Sequence, residues 1–79
     1  GKWLVYTADD DSRSINLEIL DLTTGEARDL TTGTQVIVDP AFSPDGKRLA
    51  YVSTEPTGHF QIYMRPIENG RFTGPAVAL

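Results

Sequence analysis

A shift of 45 residues lays the chain on itself: Gly1-Lys2 falls on Gly46-Lys47, Leu4 on Leu49, Val5 on Ala50 and Tyr6 on Tyr51. Further along, Ile15 meets Phe60, Leu17 meets Ile62, Ile19 meets Met64, Leu22 meets Ile67 and Gly25 meets Gly70. Five of the first 26 pairs are identical, against about two expected at roughly 6–7% per position. The shared apolar pattern and the shared turn glycine carry more weight than the identities. After Gly25 the register slips by four, so that Ala27-Arg28-Asp29-Leu30 falls on Ala76-Val77-Ala78-Leu79, with an insertion around Arg71-Phe72-Thr73. A chain built this way is a pair of similar supersecondary units rather than one irregular domain.

The units are made of strands. Pro40, Pro44, Pro56, Pro66 and Pro75 cut the second half into pieces too short for a stable helix. Between the Gly and Pro punctuation lie runs rich in Leu, Ile, Val, Tyr and Thr, which read as short strands. Seven are predicted, over residues 2–8, 15–22, 27–30, 36–42, 48–54, 60–67 and 77–79. The fourth is bent or delayed by Asp39-Pro40. Ser43-Pro44-Asp45-Gly46 is a tight turn, since Pro44 presets φ, Asp45 bonds to the local backbone and Gly46 tolerates φ > 0. Glu68-Asn69-Gly70 is a hairpin turn of type I′. The expected fold is an all-β, antiparallel one.

Four short strands in a repeat of roughly 40–45 residues is the period of a β-propeller blade. The phase gives residues 1–30 as a partial blade with the last three strands, and residues 31–79 as a complete blade with four. A blade is buried on both faces by its neighbours, and Trp3-Leu4-Val5-Tyr6 and Leu49-Ala50-Tyr51-Val52 are apolar on both sides. Two blades alone leave one apolar face open at each end. Covering roughly 400–600 Å² per end is worth on the order of 10 kcal/mol, comparable with the whole stability of a small domain. The expected partners are therefore further blades, from the rest of a parent chain or from more copies of this one.

Composition closes off other routes to stability and function. There are 79 residues with no cysteine and one histidine, so disulfides, thiol chemistry and a His-rich metal site are excluded. Seven basic against 11 acidic residues leave a net charge of −4, which argues against a nucleic-acid surface held by phosphate contacts. No apolar run approaches the ~18 residues of a membrane-spanning helix. No cofactor is expected.

Asp9-Asp10-Asp11 has the look of a cation loop, but Arg13, Ser14 and Leu20 stand where an EF-hand needs a ligand, a glycine and a glutamate. A solvated hairpin loop is the simpler reading. His59 is a candidate base without a nucleophile motif beside it, since Gly-x-Ser-x-Gly is missing. Asp39 stands in the fourth strand, the innermost of a blade, where a side chain can be offered to a central channel. No catalytic or metal-binding residue is assigned. The candidates for partner contact are Asp39, His59, Asp9 and Asp11, with the loops over residues 9–14 and 55–59 as the surfaces that present most of them. Trp3 and the tyrosines read as core, and Asp45 as a turn residue.

The run Asp39-Pro40-Ala41-Phe42-Ser43-Pro44-Asp45-Gly46-Lys47-Arg48-Leu49-Ala50-Tyr51-Val52-Ser53, followed by Gln61-Ile62-Tyr63-Met64, resembles the repeat of the TolB-type, WD-repeat-like β-propellers. The likeness covers about 30 residues of the second unit and the later part of the first. Gln61 stands where the family has Asp, and Arg65-Pro66 where it has a polar pair. The resemblance implies a segment of a larger, six-bladed propeller, periplasmic or secreted, acting without catalysis as a scaffold or protein-interaction platform. The stretch from Arg71 to Leu79 also looks like propellers joined to metal-dependent hydrolases. That implies an alternative role as the accessory domain of a peptidase or hydrolase whose catalytic domain lies outside this chain. With Gly1 at the start, any targeting signal is expected upstream.

Overall fold

The computed structural model describes residues 2–9, 14–54 and 58–79. Eight strands follow one another: β1 (Trp3–Asp9), β2 (Ile15–Asp21), β3 (Ala27–Asp29), β4 (Ile37–Phe42), β5 (Arg48–Ser53), β6 (Gln61–Glu68), β7 (Arg71–Phe72) and β8 (Val77–Ala78). They form an antiparallel three-stranded sheet, β1-β2-β3, and an antiparallel five-stranded sheet, β4-β5-β6-β7 with β8 also on β6. Among the described residues there is no helix, and in the second half the proline spacing leaves no room for one.

The internal repeat is written into the strand register. Trp3 pairs with Asp21, Val5 with Ile19 and Ala8 with Asn16. Adding 45 to each number gives Arg48 with Pro66, Ala50 with Met64 and Ser53 with Gln61, and those are the pairs in the second sheet. The slip of four is equally real. Glu18 pairs with Asp29 and Ile19 with Arg28, and their counterparts are Tyr63 with Ala78 and Met64 with Val77. Strands β1, β2 and β3 thus correspond to β5, β6 and β8.

The five-stranded sheet departs from the sequence expectation at its outer edge, where an eighth strand appears. Residues 71–72, read as insertion, pair with β6 at Glu68 and Ile67, while β8 pairs with the same edge further along at Met64 and Tyr63. The outer strand is therefore one ladder broken in two. Pro66 marks the break: its carbonyl accepts from the Thr73 N–H at 3.0 Å, so its nitrogen, which has no hydrogen to donate, faces the same edge. The Arg65 Nε–H fills the gap by donating to the Gly74 carbonyl at 2.9 Å. The Asn69-Gly70 turn has positive φ at both residues, 53° and 75°, as a type I′ hairpin demands.

On β4 the Asp39-Pro40 pair makes a β-bulge, with the register shifting between Val38 and Ala41. Ile37 and Phe42 would point to opposite faces of a regular strand. The extra residue brings both onto the face that carries Leu49, Tyr51 and Tyr63.

The two sheets pack through one face each. From the three-stranded sheet come Leu17 and Ile19, with Trp3 and Val5 at the margin; from the other come Ile37, Leu49, Tyr51, Tyr63 and Ile67, with Phe42 and Phe72. β4 is the strand that runs closest to β1 and β2. Tyr51 stacks on Tyr63 with ring centroids 6.1 Å apart and tilts against Phe72 at 6.2 Å. The connection between the sheets is clipped down by Asn16. Its amide nitrogen donates to the Gly33 carbonyl at 3.0 Å, and its oxygen accepts from Thr31 Oγ1 and Gln35 Nε2.

Candidate functional site

The register sorts the candidate contact residues by position. Asp9 ends β1, pairs with Ile15 and is exposed. Ile15 bridges to Val36, whose carbonyl accepts from the Thr54 N–H at 3.1 Å; the Thr54 carbonyl in turn accepts from the Gly58 N–H. Exposed His59 follows directly. Asp9 and His59 therefore share one end of the stacked sheets. Asp39 stands apart, exposed on β4, at φ 55°. Aspartate is among the residues that tolerate this left-handed conformation, and the bulge requires it here. Asp11 lies outside the described residues, as does most of each loop named with it. No group of three or more His, Asp or Glu able to hold a metal ion occurs among the described residues.

The other end of the stack carries a groove that the sequence reading missed. It measures about 550 Å³ and is lined by Trp3, Phe42, Lys47, Glu68, Asn69 and Thr73 among others, within the size range of small-ligand sites. The Ser43-Pro44-Asp45-Gly46 turn and the Asn69-Gly70 turn form its rims. Both turns were visible in the sequence, but the aromatic wall between them comes from Trp3, far away in the chain. Their geometry is held locally. Asp45 Oδ1 accepts from Ser43 Oγ at 2.6 Å and from the Lys47 N–H at 3.0 Å. The Ser43 hydroxyl, then the Lys47 N–H, keep the Asp45 carboxyl below its ordinary pKa. Asp21 is lowered in the same way at the β2–β3 turn, first by the Thr23 N–H.

Arg28 ties the groove to the core. It lies over the Trp3 ring at 5.6 Å and donates to the Gly70 carbonyl at 2.8 Å, joining β3 to the β6–β7 turn across the sheet interface. A Cβ on Gly70 would sit 2.6 Å from the Trp3 ring, so glycine is required there by close approach as well as by φ. Arg65 lies over Phe72 at 4.0 Å. Burial raises the Tyr51 phenol above its usual value, and the neighbouring Arg65 partly offsets that. On the opposite face of the three-stranded sheet, Tyr6 Oη donates to Glu18 Oε1 at 2.8 Å, and that bond raises the Tyr6 pKa.

Chemically, the groove offers an aromatic wall, one basic side chain, Lys47, and two acidic ones, Asp45 and Glu68, which are means of recognition. The Asp9–His59 end adds a second exposed polar surface. Among the described residues no helix is long and apolar enough to cross a membrane.

No family model matches the chain. Over 58 residues, 73% of its length, it is 38% identical to the Tol-Pal system protein TolB of Roseobacter denitrificans; the chain spans 13% of that protein. With this similarity, its all-β pair of antiparallel sheets fits a fragment of a TolB-type β-propeller.

Proposed function

We propose that the chain is a non-catalytic part of a periplasmic β-propeller and serves as a protein-interaction platform. The observation that carries this is the 38% identity with a protein of the Tol-Pal system, over a stretch that runs through most of the chain. The folded unit suits the role. Its core lies between the sheets, which leaves the turns and loops at both ends as recognition surfaces. At the Asp9–His59 end both named side chains are exposed, and exposed loop residues are the ones that binding surfaces draw on. The contacts fall at the Asp9–His59 end, with Asp39 on the β4 edge.

Titration calorimetry of the chain against each purified protein of a Tol-Pal system tests this. Saturable binding that weakens at least tenfold in Asp9→Ala or His59→Ala, with the far-ultraviolet spectrum unchanged, supports the reading. Lack of binding to every one of them overturns it. Binding unaffected by changes at Asp9, Asp39 and His59 moves the platform elsewhere on the surface and overturns its placement.

A further inference from the structure

Asn69-Gly70 is the one Asn-Gly pair in the sequence. Asparagine before glycine is the pair most open to attack of the chain on itself, since glycine has no side chain to shield its backbone nitrogen. The fold gives the two residues different surroundings: Asn69 is exposed, whereas Gly70 is buried. A Cβ on Gly70 would lie 2.6 Å from the Trp3 ring and 2.7 Å from the Arg28 guanidinium. The same guanidinium donates to the Gly70 carbonyl at 2.8 Å and to the Asn69 carbonyl at 3.4 Å. The turn at the same point of the other sheet lacks both parts, since Thr24 stands for Asn69 and a Cβ on Gly25 meets nothing within 4 Å. We propose that Asn69 is a site of spontaneous deamidation, and that the clamp of Trp3 and Arg28 on Gly70 sets its rate.

In this reaction the Gly70 nitrogen loses its proton to hydroxide and bonds to Asn69 Cγ. The Cγ–Nδ2 bond breaks, and ammonia leaves with a proton from water. The five-membered imide then takes up one water. Opening at Cγ gives aspartate; opening at the main-chain carbonyl gives isoaspartate, in which the chain runs on through Cβ and Cγ. The ring closes only when the bond to the Gly70 nitrogen eclipses the Asn69 Cα–Cβ bond. A type I′ turn, with ψ roughly +30° at its first central residue, swings the two well apart, and φ values of 53° and 75° put Asn69 and Gly70 in that turn. Closure therefore needs Asn69 to rotate about ψ, which carries Gly70 out from under Trp3 and off Arg28. The products differ in what they leave. Asn69 lines the groove with Asp45 and Glu68, so aspartate adds a third acid there while keeping a pair, Asp-Gly, that suits the turn. Isoaspartate lengthens the main chain and pulls the turn off its clamp. The inference rests on the turn and is independent of the role proposed above.

Peptide mapping by mass spectrometry, with enzymatic methylation of isoaspartate, follows the conversion at mildly alkaline pH. Three proteins are compared in buffer and in urea: the unaltered chain, Arg28→Ala and Gly25→Ala. In urea all three are expected to convert Asn69 at one rate. In buffer the unaltered chain is expected to be at least about tenfold slower, since only turns that open locally react. Arg28→Ala recovers most of that difference; Gly25→Ala, which loosens the other turn, recovers little. An unaltered chain that converts as fast in buffer as in urea overturns the clamp. So does an Arg28→Ala chain that stays as slow as the unaltered one, and so does equal acceleration by Gly25→Ala, which indicates opening of the whole fold. Lack of conversion at Asn69 in urea overturns the site itself. Far-ultraviolet circular dichroism verifies folding in buffer. Should Arg28→Ala unfold, Arg28→Met, which keeps an apolar stem and has no donor, gives the same readings.

Discussion

Leu17 and Ile19 of the three-stranded sheet are fully buried; at the same places in the five-stranded sheet, Ile62 is half exposed and Met64 only partly covered. The reverse holds on the other face, where Leu49 is fully buried and Leu4 is half exposed. Two sheets with one register and nearly one apolar pattern therefore use opposite faces as core. Register is decided by pairing between neighbours in a sheet, whereas burial is decided by what stands across from the sheet. Each unit has two faces able to serve as core, and the direction of stacking chooses between them.

The largest test of that contrast is a matched pair of truncations. Leu49→Ala is expected to cost about 3 kcal/mol, with a cavity left between the sheets, and Leu4→Ala under about 1 kcal/mol. Urea unfolding at one low protein concentration measures both. Equal losses would mean that both faces are covered in solution, and the contrast would fail.

A second pair concerns the turn glycines. Gly25 and Gly70 both have positive φ, 80° and 75°. A Cβ on Gly25 meets nothing within 4 Å, whereas on Gly70 it strikes Trp3. Gly25→Ala is expected to cost about 1 kcal/mol for the left-handed backbone alone. Gly70→Ala is expected to cost roughly 2–3 kcal/mol, because overpacking is added. Thermal unfolding of the two variants reads the difference. Similar melting temperatures would show that Trp3 is not wedged between the sheets.

The smallest effect concerns pH, and each sheet supplies one group. Asp21 and Asp45 both have folded pKa values below their unfolded ones. Their ionised forms therefore favour the fold. That contribution is complete above the unfolded value near 4 and is lost as pH falls through the lowered folded value. Asp21→Asn and Asp45→Asn should each flatten the acid limb of a plot of urea midpoint against pH. If one variant leaves that limb unchanged, its carboxylate does not hold the turn in that sheet.

Of the candidate site, an irregularity of the fourth strand at Asp39-Pro40 and the turn role of Asp45 were readable from local chemistry; that the irregularity is a bulge came from the register. The groove was not, because Trp3 and the Asn69-Gly70 turn meet only across the sheet interface. β7 was also hidden. A two-residue strand leaves no periodicity to read, although Pro66 and Gly74 flank the break that produces it.

Turn residues and the 45-residue period carried the all-β class, the pairing register and the four-residue slip, since each depends on spacing along the chain and on contacts between neighbouring strands. Which leucines and isoleucines form the core was open until the sheets were stacked. Leu4 and Leu49 are the same amino acid at the same point of the repeat, and the packing of one sheet on the other gives them opposite environments. Hydrophobicity belongs to the side chain; burial belongs to the surface it meets.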